Sequence, residues 1–150
     1  MTDLSDLYHE LLLEHSARPH NRRSLPAPPA RRVEGYNPLC GDRVAVYLLM
    51  DDGRVADVAF EGTGCAISTA SASIMTDLVK GRTREEVERQ FERFHRLVTG
   101  QGPANEEPAE EILGVFRNLS RFPMRVRCAT LAWHALLAAL HESGEPVTTE

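Results

Sequence analysis

The stretch Arg43-Val44-Ala45-Val46-Tyr47-Leu48-Leu49-Met50-Asp51-Asp52-Gly53-Arg54-Val55-Ala56-Asp57-Val58-Ala59-Phe60 decides the fold. Val44, Val46, Leu48 and Met50 alternate with Ala45, Tyr47 and Leu49, which is the two-residue period of a strand, and residues 54–60 read as a second strand. Between them, Asp51-Asp52-Gly53 tolerates the positive backbone angles that a tight hairpin requires. Residues 32–36 form a further strand ahead of this pair, so the three make an antiparallel meander. The strand at 43–50 is apolar on both sides, which predicts helices over one sheet face and some packing on the other.

Helices are expected on either side of the meander. Residues 3–16 place Leu4, Leu7, Tyr8, Leu11 and Leu12 on one face at helical spacing. Residues 18–29, with four prolines and no periodicity, read as a surface connector that reaches a sheet edge. Thin Ala, Ser and Thr side chains from Ala66 to Lys80 predict a helix packed close to the sheet, with Gly81 at its carboxyl cap. Thr83 and Glu86 form a capping box that opens a charged helix to about residue 97, with Val87, Phe91, Phe94 and Leu97 or Val98 turned inward. A loop over 99–108, a short helix over 109–119 and a final helix over 126–142 complete the chain. The expectation is one α+β domain over residues 1–150, a three-stranded antiparallel sheet with helices packed on one face.

With 17 basic against 22 acidic residues and a net charge of −5, whole-chain electrostatics give no support to nucleic-acid binding. The amino-terminal run Thr2-Asp3-Leu4-Ser5-Asp6 is acidic rather than signal-like, and no apolar run approaches the roughly 20 residues that span a bilayer. A cytoplasmic protein with no membrane or nucleic-acid partner is expected. Three cysteines far apart in a reducing compartment are poor disulfide material.

Those cysteines carry the chemistry. Cys40 stands in Asn37-Pro38-Leu39-Cys40-Gly41-Asp42, where thiolate and carboxylate two residues apart can face one cation. Cys65 in Gly62-Thr63-Gly64-Cys65 and Cys128 in Arg125-Val126-Arg127-Cys128 fall where loops turn into helices, and helix starts favour anionic thiolates. Any one of the three could be a bland buried thiol; together with Asp42 they suggest a shared metal or sulfur-transfer site. His134 reads as a core or partner contact, and His9, His15, His20, His95 and His141 have no spacing that pairs them with the cysteines.

Three motifs in order, Tyr36-Asn37-Pro38-Leu39-Cys40-Gly41-Asp42, Phe60-Glu61-Gly62-Thr63-Gly64-Cys65-Ala66-Ile67-Ser68 and Cys128-Ala129-Thr130-Leu131-Ala132-Trp133, resemble the IscU/NifU-N iron-sulfur scaffold family, and within it the SufU branch. IscU-type scaffolds carry a histidine ligand and a proline-rich chaperone motif just before the last cysteine. Here Arg127 and Phe122-Pro123-Met124-Arg125-Val126 stand there, and residues 100–119 resemble the insertion that SufU-like proteins carry. The resemblance implies a SufE/NifU-like fold and one zinc ion on Cys40, Asp42, Cys65 and Cys128. Three soft sulfurs and one oxygen suit tetrahedral zinc. The loaded site would carry a net charge of about minus two, by the ion's own charge against four anions. Arg125, Arg127 and Arg43 either offset that charge or are ordinary surface arginines.

The family reading implies a zinc-dependent sulfurtransferase in iron-sulfur cluster biogenesis. It would take persulfide sulfur from a SufS-type cysteine desulfurase, with Cys40 as acceptor, and pass it to downstream assembly proteins. Two rivals are a scaffold that assembles a [2Fe-2S] cluster on the same residues and a purely structural zinc domain.

Overall fold

A computed structural model of the chain describes residues 4–101, 115–116, 119–142 and 145–148, with side chains from residue 8 onward. Three strands, β1 (Arg31–Asn37), β2 (Asp42–Asp51) and β3 (Arg54–Thr63), form the antiparallel meander that the alternation predicts. Asp52 and Gly53, at φ 53° and 77°, make the two-residue hairpin turn between β2 and β3. The expectation of a three-stranded antiparallel sheet is corrected by a fourth strand, β4 (Val147–Thr148), which pairs parallel with β1 through Gly35 and Tyr36. The sheet is therefore mixed, in the order β3-β2-β1-β4. Two residues cannot show a period, so tertiary pairing alone makes β4 a strand.

Helices α1 (Leu4–Ala17), α2 (Ala66–Val79), α3 (Arg84–Val98) and α4 (Pro123–Leu140) supply the rest of the fold. Val33, Val44, Val46, Leu48, Val58 and Phe60 are buried in one core with the inner residues of α2, α3 and α4. At its centre Trp133 stacks on Phe94 with ring centroids 4.8 Å apart. On the opposite side, Ala45, Tyr47 and Ala59 form a smaller cluster under Leu25 of the connector. That connector pairs with the free edge of β3, Arg23 N–H donating to Phe60 O at 3.0 Å and Phe60 N–H to Asn21 O at 3.1 Å.

Local signals set the helix ends. The Thr83–Glu86 capping box is formed, with Glu86 N–H on Thr83 Oγ1 at 3.2 Å and Thr83 N–H on Glu86 Oε1 at 3.0 Å. Gly81 follows α2 at φ 84°. At Gly35 an added Cβ would lie 3.1 Å from both Leu131 Cδ1 and Val44 Cγ1, so the missing side chain lets α4 lie tight on β1. The short helix expected over 109–119 lies mostly outside the described residues; Leu119–Arg121 is a 3₁₀ turn. Among the described residues no helix is long and apolar enough to cross a membrane.

Candidate metal centre

At one end of the sheet three segments converge: the turn from β1 to β2, the start of α2 and the second turn of α4. Asn37, fully buried, organises the turn. Its carbonyl accepts from Cys40 N–H at 3.2 Å and Gly41 N–H at 2.8 Å, and its Oδ1 accepts from Leu39 N–H at 3.2 Å. Gly41 reverses the chain at φ 72°, a conformation that costs glycine little. Cys40 is thereby held, exposed, on a short turn beside Leu39, which is 58% exposed.

Asp42 opens β2 and is 1% exposed. Its Oδ1 accepts from Cys65 N–H at 2.9 Å, and its Oδ2 lies 3.9 Å from Cys65 Sγ. Cys65 is the N-cap of α2, its sulfur accepting from Ser68 N–H at 3.4 Å. Gly64 makes this approach possible: a Cβ there would lie 2.8 Å from Asp42 Oδ1. Gly64→Ala should push the carboxylate off the Cys65 N–H, stranding a donor at a cost of about 1–3 kcal/mol. The check is a melting curve with metal content on the same sample; unchanged values in both would remove the Asp42–Cys65 contact from the site.

Cys128 departs from expectation. Instead of standing at a helix start, it is the sixth residue of α4, because the helix begins at Pro123 rather than at residue 126. Proline suits a first helical position, where the missing N–H has no partner to lose. Cys128 is 3% exposed, its sulfur 3.3 Å from Cys40 Sγ and 3.7 Å from the Nδ2 donor of Asn37. Burial, and then the neighbouring Asp42, Cys40 and Cys65, push its thiol far above the ordinary cysteine range.

One ligand atom each from Cys40, Asp42 and Cys128 lies within 4.8 Å of the others, and Cys65 joins through Asp42 Oδ2. The structure thus brings all four predicted side chains together. With Asp42 and Cys128 buried beside the other two sulfurs, a cation among the four would offset negative charge that is costly to bury. Three sulfurs and one carboxylate fit zinc or iron.

Two of the arginines stack on rings: Arg43 lies 5.1 Å over the Tyr36 ring and Arg125 lies 5.2 Å over Phe122. His134 packs edge-on to Phe91 at 5.3 Å, and burial followed by the charge of His95 lowers its pKa, consistent with a core contact. Asn37 is the residue that the sequence reading left without a role. Its signal was the Asn-Pro start of a short segment ending in glycine, which is turn chemistry.

The NifU-like N terminal domain family model matches residues 7–111. The "Iron-sulfur cluster assembly scaffold protein IscU" of Streptococcus pyogenes is 39% identical over 146 residues, covering 95% of this chain and 88% of that protein. The "Zinc-dependent sulfurtransferase SufU" of Bacillus subtilis is 35% identical over 134 residues, 89% of each chain. Among solved structures, a nitrogen-fixing NifU-like protein (N-terminal) from Brucella abortus superposes with a TM-score of 0.78 at 28% identity, over 93% of this chain and 97% of that one. Family model, relatives and fold agree, and the chain belongs to the NifU-like N-terminal domain family of iron-sulfur cluster assembly proteins.

Proposed function

We propose that the chain is a zinc-dependent sulfurtransferase of the SufU kind, taking persulfide sulfur from a SufS-type cysteine desulfurase and passing it to the downstream assembly machinery. The observation that carries this reading is the pairing of an exposed Cys40 with a buried Cys128 and Asp42, where Arg127 stands before the last cysteine in place of a histidine. The SufU relative, named a zinc-dependent sulfurtransferase, supports it. Zinc held by Cys40, Asp42, Cys65 and Cys128 would keep the thiols deprotonated at neutral pH.

In the transfer, the Cys40 thiolate attacks the outer sulfur of the donor persulfide. A new S–S bond forms on Cys40, the old one breaks, and the donor cysteine leaves as a thiolate. No electrons enter or leave. Asn37 and Gly41 hold Cys40 on its turn, and the exposed side chains of Leu39, Phe122 and Met124 offer an apolar rim for the partner. The test is mass spectrometry after mixing with a loaded desulfurase, where one added sulfur is expected on the Cys40 peptide. Added sulfur on Cys65 or Cys128 instead would reject Cys40 as acceptor.

The scaffold reading, a [2Fe-2S] cluster on the same residues, is favoured by the IscU name of the 39% identical relative. Metal content of protein purified without added metal decides between the two: about one zinc at the four-ligand thiolate site, with negligible iron, supports transfer. A further prediction concerns the rim. Replacing Arg125 and Arg127 together by Glu should weaken desulfurase binding, most strongly at low salt. A dissociation constant unmoved at low salt takes both arginines out of the interface.

A further inference from the structure

At the other end of α2 a second set of metal-binding side chains lies far from the thiols. Asp77 follows Cys65 by twelve positions on the same helix, which at 1.5 Å per residue separates them by roughly 18 Å. His15 from α1 and His20 from the connector meet Asp77 there, with one ligand atom from each within 4.8 Å of the others. The rings of His15 and His20 are 4.5 Å apart.

His15 and Asp77 each have an outer partner that orients them, and His20 is tied down through its backbone. His15 Nδ1 lies 2.7 Å from Ser73 Oγ, which also accepts from the backbone N–H of His20 at 2.7 Å. Asn21, at φ 59°, turns its Nδ2 to Thr76 Oγ1 at 3.0 Å and to Asp77 Oδ1 at 3.4 Å. The other carboxylate oxygen, Oδ2, lies 2.5 Å from His20 Nδ1. Outer hydrogen bonds that fix an imidazole and a carboxylate in this manner are typical of metal sites.

We propose that His15, His20 and Asp77 form a second site, for a divalent transition-metal ion of the zinc class, that pins α1 and the connector onto α2. Two imidazoles and one carboxylate are borderline donors that suit such ions and leave a fourth position for water. The short His20–Asp77 contact, Nδ1 to Oδ2 at 2.5 Å, closes the space that the ion would take. Tetrahedral ligands at zinc distances stand about 3.3 Å apart, so the pair must open by under about 1 Å. Both side chains have room to do so, at 49% and 44% exposure.

The experiment compares zinc content of the full chain with those of His20→Ala and Asp77→Asn after equilibration with micromolar zinc and desalting. The difference between chains is read, so the result does not depend on what the thiolate site holds. Wild type is expected to retain one more equivalent than either variant and to show a larger zinc-dependent rise in melting temperature than either. Loss of this surface pair leaves the fold intact, since exposed ion pairs contribute little. Equal zinc content in all three chains overturns the proposal and leaves His20–Asp77 as an ordinary ion pair.

Discussion

Cys40→Ser is expected to abolish stimulation of a SufS-type desulfurase, down to the rate seen with no added acceptor. The donor enzyme still forms its own persulfide, because that chemistry needs nothing from this chain. Turnover then stalls, since an aliphatic hydroxyl is scarcely ionised at neutral pH and cannot take sulfur from a persulfide. Position argues for Cys40 over its neighbours: Cys128 is 3% exposed inside α4, and Cys65 caps α2 while its sulfur is engaged by Ser68 N–H. Cys40 sits on a turn whose backbone bonds come from Asn37 rather than from its own side chain. Serine there keeps the turn's backbone bonds while weakening the zinc site, so stimulation is read on variant protein shown to be folded at the assay temperature, where a loss reports the thiol. Normal stimulation by a folded Cys40→Ser protein would end the assignment of Cys40 as acceptor.

Much of this arrangement is legible in the chain. Alternation in residues 43–60 and the Asp52-Gly53 turn are local features with local causes, and they predict the meander and its hairpin. The Thr83–Glu86 box likewise reads directly as a helix start. Errors fall where tertiary packing decides. β4 is two residues long and exists only because β1 offers an edge, and α4 begins three residues early because Pro123 is a better first helical residue than the arginine-rich run after it suggests. That shift matters to the site: it moves Cys128 from a helix start into a buried second turn, where it loses the helix-dipole advantage and meets Cys40 at 3.3 Å. The His15–His20–Asp77 cluster was hidden for a similar reason. Its ligands are 5 and 57 residues apart along the chain, and only the docking of α1 and the connector on α2 brings them together.

The remaining large effect is expected from the metal. Removing zinc with a chelator, or replacing Cys128 with Ala, should lower thermal stability well beyond what the loss of one small buried side chain explains. In the chain alone, Asp42 and Cys128 are buried beside two further sulfurs, and burial followed by these neighbours raises the Cys128 pKa. A divalent cation reverses the sign of those interactions, so its binding free energy adds to folding. A site filled at a thousandfold excess over its Kd contributes about 4 kcal/mol. At about 2–4 °C per kcal/mol for a chain of this size, that is a fall of roughly 8–16 °C in melting temperature. Because Cys128 must shed its proton to bind, metal affinity should also fall as the pH is lowered. Asp42→Ala should show a smaller fall, since three sulfurs remain, with a further cost of about 1–3 kcal/mol for stranding the Cys65 N–H. Differential scanning calorimetry of wild type with and without chelator, beside Cys128→Ala, makes the comparison. A melting curve that chelation leaves in place would mean that no metal held by these four residues supports the fold, and would sink the zinc-site reading with it.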